Sequence, residues 1–470
     1  MTGTVRIDGL ATDLCLPAGP GPHPAVVLRT PYDRRRHRGE LRGWAARGFA
    51  ALAQDVRGRY ASPGDWHPYG DHEADDGAAT VRWVRAQRWS DGKVVAAGAS
   101  YGAHCALAVA AEADAVLAAV PALGLAETAR ETTGPERLLA RAGWWWEHGD
   151  RRVPDPTPLD PAVLDRLPLN GVLDRPSWPA LWRARRREPP AAAVPLLAVG
   201  GSRDPFAEDT LRLWRRWPGP ARLLLGPWGH RLTAGPAPEA RPGHRIDLGA
   251  VYTGWARAAL GGTLTGRGGA VALGGSDHWY PASDPSPATR HPFGTLGGLR
   301  LLRGAEFVAD PGRPVRSDTL DVPRHGVPDR CLLVSRPLPR PVDLLGPAEA
   351  RLDAVADTPS ADWAVRLVAL DPAGRAEPLA TGIVRRDRPG PFTVPLGHLA
   401  RRLAAGTRLR VEVAGHHFPA HARNPHTGED PATAVRLLPS RRTVRPHGSF
   451  LALPVVRGAR RTDPVQEIQT

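Results

Sequence analysis

Short apolar runs recur through the first half of the chain: Ala25-Val26-Val27-Leu28, Phe49-Ala50-Ala51-Leu52-Ala53, Val94-Val95-Ala96-Ala97, Ala115 to Val120, Pro195 to Val199 and, interrupted only by Arg222, Ala221 to Leu225. Between them lie longer stretches that mix charged and apolar residues at helical spacing, as in Glu208 to Trp217 and in the segment with Val81, Trp83 and Val84. A strand covered on both faces needs a continuous apolar run. Such runs alternating with helices predict a mostly parallel sheet with helices on both sides. At the N-terminus, Thr12 to Leu16, a Pro/Gly turn at 17–24 and Ala25 to Leu28 read as a hairpin edge feeding the first central strand. Trp44 to Gly48 reads as a helix closed by its glycine.

The rhythm breaks twice. From about 125 to 193 the chain carries Trp144-Trp145-Trp146, Trp178, Trp182 and many prolines and arginines, which reads as an inserted helical cap. Tryptophans of this kind pack a small core, and some can wall a pocket. Beyond about 250 short strands and Gly/Pro turns take over, for example Leu352 to Ala356, Trp363 to Leu370 and Leu409 to Ala414. That spacing predicts an antiparallel sandwich or jelly roll.

One junction organises the rest. The run Val94 to Ala97 leads into Gly98-Ala99-Ser100-Tyr101-Gly102, and an Ala-rich segment follows. A buried strand, a sharp turn and a closely packed helix with Gly-x-Ser-x-Gly between them form a nucleophile elbow. The glycines leave room around a strained serine, and the helix start favours developing negative charge there. Two further strand-end loops complete the chemistry. Asp204 follows the strand Pro195 to Gly201, and His230 follows Ala221 to Leu225 in Gly226-Pro227-Trp228-Gly229-His230. Each alone is explained by a capping aspartate or a solvated histidine. Together, in the chain order Ser, Asp, His and at one end of one sheet, they read as a catalytic triad. Tyr32 sits at another such strand end, where a core tyrosine, a turn residue or a phenol aimed at Ser100 all fit. Asp55 and Arg57 read as a structural ion pair bracing their loop, and Asp71, Glu73, Asp75 and Asp76 as an acidic helix start, not metal ligands.

Charge adds little to this. The chain has a net charge of +14, but only Lys93 is lysine, leaving 61 of the 62 basic residues as arginine. The excess is spread along the chain, with short clusters at Arg34 to Arg36 and Arg185 to Arg187, and no nucleic-acid-reading motif accompanies it. The bias is global, in keeping with codon usage rather than with a ligand. Three distant cysteines (Cys15, Cys105, Cys331) offer neither a disulfide framework nor a zinc pattern. No apolar run reaches the roughly 18 residues of a membrane span, and no basic leader precedes an apolar stretch, so a cytoplasmic enzyme is expected.

At this point the motifs resemble a known family. Arg29-Thr30-Pro31-Tyr32-Asp33, Gln54 to Arg59 with Ser62-Pro63-Gly64, the Ser100 elbow, Gly226 to His230, Leu273 to Trp279, Phe418-Pro419 and Arg423 to Gly428 resemble the cocaine-esterase-like hydrolases. These are relatives of the X-prolyl dipeptidyl aminopeptidases and α-amino acid ester hydrolases. The resemblance implies an α/β fold class: an α/β-hydrolase core in 1–124 and 194–250, a helical cap in 125–193, and a C-terminal β jelly roll in 251–470. It implies Ser100 as nucleophile, Asp204 as orienting acid, His230 as base, and an oxyanion hole from the Tyr32 hydroxyl and the Tyr101 backbone N–H. Phe206 matches a pocket aromatic, and Trp144 is a second pocket candidate. Ala103 in the elbow, Gly201-Ser202-Arg203 before the acid and a short cap depart from the family, and they bear on the substrate rather than on the chemistry.

The expected activity is hydrolysis of a small-molecule carboxylic ester or amide through an acyl-enzyme, with no metal or organic cofactor. The expected partners are that substrate and at most a second copy as a homodimer, with no specific nucleic acid and no membrane. Alternatives are dipeptidyl-aminopeptidase or amino-ester activity on free amines, acyl transfer to another acceptor, and a ligand-binding protein with a vestigial core.

Overall fold

The computed structural model describes residues 2–186, 192–282, 288–456, 458 and 460–470. The apolar runs become the interior of one ten-stranded sheet. Its first eight strands are β1 (Thr2–Ile7), β2 (Leu10–Cys15), β3 (His23–Thr30), β4 (Ala50–Asp55), β5 (Ser90–Ala99), β6 (Ala115–Ala119), β7 (Leu196–Gly201) and β8 (Ala221–Gly226). The strands β4, β6, β7 and β8 are buried along their whole length, as runs without alternation require. From β3 onward these strands are parallel, so their carboxyl ends all open at one edge of the sheet. A short ribbon, β9 (Trp228–Gly229) and β10 (Leu232–Pro236), stands above β8 at that edge.

The expected hairpin between residues 12–16 and 25–28 does not form. The edge hairpin is instead β1 with β2, closed by Asp8 and Gly9 at φ 49° and 81°. β2 then pairs antiparallel with β4, and β4 separates it from β3. The Pro/Gly segment at 17–22 is a crossing rather than a tight turn.

Helices cover both faces. They include α1 (Arg38–Ala45), α2 (His72–Arg85) and α3 (Tyr101–Ala108). The cap inserted after β6 carries α4 (Leu125–Ala129), α5 (Leu139–His148) and α6 (Trp178–Arg183). Its tryptophans Trp145, Trp178 and Trp182 share one apolar cluster with Tyr101, Phe206 and Phe418, so the cap core is continuous with the walls around Ser100. Of the expected cap span, 187–191 (with Arg187 of the arginine cluster) lies outside the described residues.

After the cap come α7 (Ala207–Arg216) and α8 (Leu248–Leu260). Here the expected boundary at 250/251 needs correction. α8 buries Val251, Trp255 and Ala256 in the same core as Val26 and Leu117. The chain then adds β11 (Arg267–Ala272), parallel to β8, and β12 (Trp279–Pro281) to the sheet. The terminal helix α9 (Pro464–Gln469) returns to place Ile468 in that core. The strand order is β1-β2-β4-β3-β5-β6-β7-β8-β11-β12. The sequence hides β11 because Arg267-Gly268-Gly269 looks like a loop. Gly269 is needed there: at φ 138°, a Cβ would lie 2.1 Å from the Leu223 carbonyl oxygen of β8.

The remaining strands form two antiparallel sheets. One holds β13 (Thr289–Pro292), β15 (Glu306–Ala309), β17 (Val342–Ala356), β20 (Phe392–Leu403), β22 (Ser440–Leu453) and β23 (Val455–Val456). The other holds β14 (Leu299–Arg303), β16 (Arg330–Ser335), β18 (Ala361–Leu370), β19 (Ala376–Arg386) and β21 (Arg408–Ala414). Alternate residues of facing strands, such as Leu344, Ala350 and Leu352 against Trp363, Val365, Leu367, Val411 and Val413, fill the space between them.

Gly269→Ala is expected to lower the melting temperature, because a fixed backbone oxygen blocks the new methyl; overpacking of this kind costs about 1–3 kcal/mol. A thermal melt identical to wild type would contradict the β8–β11 pairing.

Candidate active site

At the end of β5 the chain reverses in one residue. Ser100 takes φ 57°, ψ −119°, a conformation non-glycine residues rarely hold, and α3 starts at Tyr101. The reversal brings Gly102 against Gly98, whose Cβ would lie 2.2 Å from the Gly102 carbonyl carbon. The first glycine of the motif is therefore steric. Hydrogen bonds pin both sides of the turn: Ser100 N–H to the Ala119 carbonyl at 2.9 Å, and Ala103 and Ala122 N–H to the Ser100 carbonyl at 3.1 and 3.2 Å.

Two neighbouring loops meet this serine. His230 lies between β9 and β10, and Asp204 lies just after β7. The loops are stitched together by Ser202 N–H to Gly226 O at 2.8 Å and Arg203 N–H to Trp228 O at 3.0 Å. His230 Nδ1 is 2.7 Å from Asp204 Oδ1, and His230 Nε2 is 3.0 Å from Ser100 Oγ. The Asp204 carboxylate is fully buried while the imidazole is 40% exposed. A buried carboxylate accepting from Nδ1–H leaves Nε2 as the free base facing the hydroxyl.

Tyr32 stands opposite. Its hydroxyl lies beside the Ser100 side chain and the Tyr101 backbone N–H. Burial pushes the phenol pKa up, against the opposing pull of Ser100, Trp144 and the Arg141 charge, so the O–H stays protonated. Trp144 Nε1 donates to the Tyr32 oxygen at 3.1 Å, which leaves the Tyr32 proton free to point elsewhere. Trp144 also stacks on the Tyr101 ring (5.9 Å between centroids, 5° between planes), and Phe206 meets His230 edge-on at 5.5 Å. All seven residues singled out in the sequence, namely Ser100, Asp204, His230, Tyr32, Tyr101, Phe206 and Trp144, are thus gathered at one strand-end cleft.

The sequence reading missed what holds them. Fully buried Arg59 donates through Nε to the Pro31 carbonyl at 2.9 Å and also bonds the Arg151 carbonyl, tying the Tyr32 loop to the cap. His148, one face of α5 with Trp144, packs its ring edge on Tyr32 at 5.1 Å. Burial, with Arg59 and Arg36 nearby, holds His148 down to about 3, so it is neutral at physiological pH. Glu73 accepts from the Tyr101 hydroxyl at 3.0 Å and pairs with Arg29 at 3.0 Å, deep under the elbow. The acidic start of α2 is therefore partly a buried brace and not only a dipole match. The signal was available: Glu73 and Asp76 share a helix face with Thr80 and Val84, all buried. Asp55 and Arg57 do not pair with each other. Asp55 pairs with Arg34 at 2.7 Å and Arg57 with Asp76 at 3.1 Å, because the chain leaves the sheet between them and their side chains face different elements.

A strained serine at a strand–helix turn, in contact with a histidine held by a buried carboxylate on an eight-stranded α/β core with additions, defines the class: a serine hydrolase of the α/β-hydrolase fold. The comparisons with known proteins carry this further. Residues 7–231 match the X-Pro dipeptidyl-peptidase (S15) family, and residues 276–447 match the X-Pro dipeptidyl-peptidase C-terminal non-catalytic domain. Both parts of the chain are therefore similar to the X-Pro dipeptidyl-peptidases. The chain is 27% identical to the cocaine esterase of Rhodococcus sp. (strain MB1 Bresler), across 95% of this chain and 96% of that one. Among solved structures, an aminopeptidase from a marine sediment Thaumarchaeota archaeon superposes with a TM-score of 0.76 at 19% identity, over 97% of this chain and 96% of that chain. An α-amino acid ester hydrolase superposes at 0.69, also at 19% identity, over 97% and 96%. A CocE/NonD family hydrolase from Staphylococcus aureus gives 0.65 at 16% identity over 97% and 93%. These structural likenesses carry the fold.

Several histidines are neutral in the fold: His148 and His417 are held down to about 3 and His398 and His426 to about 4, each mainly by burial. Unfolding returns them toward about 6.5, so between those values the unfolded state binds more protons and stability falls as pH falls. The melting temperature is expected to drop between pH 7 and pH 5, with a shallower slope in His148→Gln. A melting temperature that is flat over this range would contradict the buried neutral histidines.

Proposed function

We propose that the protein hydrolyses a small-molecule carboxylic ester, with amides as the harder substrates, through an acyl-enzyme on Ser100. The observation that carries this reading is the contact chain from Ser100 Oγ to His230 Nε2 at 3.0 Å and from His230 Nδ1 to Asp204 Oδ1 at 2.7 Å. His230 takes the Ser100 proton as the oxygen attacks the carbonyl carbon, and Asp204 stabilises the imidazolium so formed. The tetrahedral oxyanion accepts hydrogen bonds from the Tyr32 O–H and the Tyr101 N–H. His230 then returns its proton to the departing alcohol. A water repeats the sequence on the acyl-enzyme and restores Ser100.

The division of labour follows from geometry. The Tyr101 N–H is fixed by α3. The Tyr32 O–H is fixed by Trp144 on one side and by the Arg59-tethered loop on the other, so both donors are set before the substrate arrives. Among the relatives' names, a cocaine esterase and an α-amino acid ester hydrolase favour ester cleavage, while the dipeptidyl-peptidase family and the aminopeptidase favour the amide bonds that the same acyl-enzyme chemistry opens.

Two outcomes are expected with p-nitrophenyl esters of short acids. Ser100→Ala loses turnover to the level of the buffer blank. Tyr32→Phe keeps the fold by circular dichroism and loses on the order of 10²–10³ in kcat, the cost of one oxyanion donor. Wild-type turnover in either variant would remove that residue from the mechanism.

A further inference from the structure

The cap presents one face of α5 to the site, and Trp144 and His148 on that face both touch Tyr32. One turn earlier on the same face is Arg141, only 5% exposed. Its guanidinium lies 5.3 Å over the Phe206 ring centroid, and its polar contact is the Tyr69 hydroxyl. Its Nε has no hydrogen-bond partner, and no carboxylate among the described residues pairs with it.

The nearby acids are already engaged. Glu131 is held by Arg137 at 2.8 Å and by His421 at 3.0 Å. Asp209 is held by Arg137 at 3.3 Å and by Arg212. Both carboxylates are thus spent on other cations, and neither is a counter-charge for Arg141. A buried guanidinium without a counter-charge is costly unless something else supplies that charge.

Its position says what would. Phe206 carries Arg141 against its ring and His230 against its edge, and Tyr32, beside Ser100, feels the Arg141 charge. The cation therefore borders the reacting centre, on the cap side. We propose that Arg141 recognises a carboxylate carried by the substrate, so that the preferred esters are anionic. This rests on the hydrolase reading above and deepens it. A planar fork of N–H donors suits a carboxylate, and the same charge repels a substrate ammonium, which has no unengaged acid here to receive it. The carboxylate can belong to the acyl part or to the leaving group, and the two are told apart by experiment.

The test uses two matched pairs of esters with wild type, Arg141→Lys and Arg141→Met, against Ser100→Ala as background. The acyl pair is p-nitrophenyl hexanoate and the mono-p-nitrophenyl ester of adipic acid; the leaving-group pair is phenyl acetate and 4-carboxyphenyl acetate. The readout is the ratio of kcat/KM, anionic over neutral, within each protein. Wild type is expected to favour the anionic member of one pair by about 10-fold or more, the scale of a charge-assisted hydrogen bond. Arg141→Lys is expected to keep part of that ratio, and Arg141→Met to lose it mainly through KM. A wild-type ratio at or below one in both pairs overturns the inference without recourse to a variant, as does a preference that survives in Arg141→Met. Hydrolysis of none of the four esters above the Ser100→Ala background refutes the hydrolase reading, and this inference with it.

Discussion

The arrangement depends on holding Ser100 in a left-handed conformation at the carboxyl end of β5. The strain of that turn, on the order of 1–3 kcal/mol, persists only where surrounding structure over-determines it. Here the determinants are visible. β5 lies between β3 and β6, both parallel to it, so its end cannot drift. Gly98 lets the first turn of α3 close down on the strand, and the small residues Ala103 and Ala106 of α3 lie against Ala96 and Ala118 of the sheet. An Ala-rich helix on Ala-rich strands is a close approach, and the close approach is what raises the serine hydroxyl clear of the sheet.

Around this fixed point, buried arginines do much of the bracing. Arg29 ties β3 to Glu73 and Asp76 of α2, and Arg34 joins Asp13 to Asp55 across the β2 and β4 ends. Arg385 of β19 pairs with Glu136 of the cap at 2.7 Å, linking the C-terminal sandwich to the insertion that covers the site. The large arginine content therefore has structural work inside the molecule, and net charge alone says little about a ligand. Arg141, like Arg59, has no carboxylate partner, but Arg59 spends its guanidinium on backbone carbonyls, whereas Arg141 keeps an Nε without a hydrogen bond beside residues of the reaction. A composition-level bias becomes informative only where the pairing fails.

Much of the fold and of the reacting centre was legible in the chain. Continuous apolar runs named β3 to β8 because parallel strands buried on both faces leave no other pattern. The elbow, Asp204 and His230 were legible because each must follow a strand, and strand ends were readable. What lay outside the reading lacks a local signature. β11 is hidden by its glycines, and α8 belongs to the first core only through long-range packing of Trp255. Arg59, His148 and Glu73 act through partners far away in sequence, and one arginine among 61 does not announce that it is unpaired. The Asp55–Arg57 expectation failed for the same reason: proximity in sequence is a poor guide where the chain leaves a sheet.

The reaction turns on Ser100 as an activated nucleophile. The most direct measurement is treatment of the intact protein with a fluorophosphonate, followed by peptide mapping of the adduct by mass spectrometry. A single phosphonylated site at Ser100 is expected, formed far more slowly in His230→Ala, because the hydroxyl needs its base. An unmodified Ser100, or a Ser100 that reacts equally fast without His230, would contradict that role.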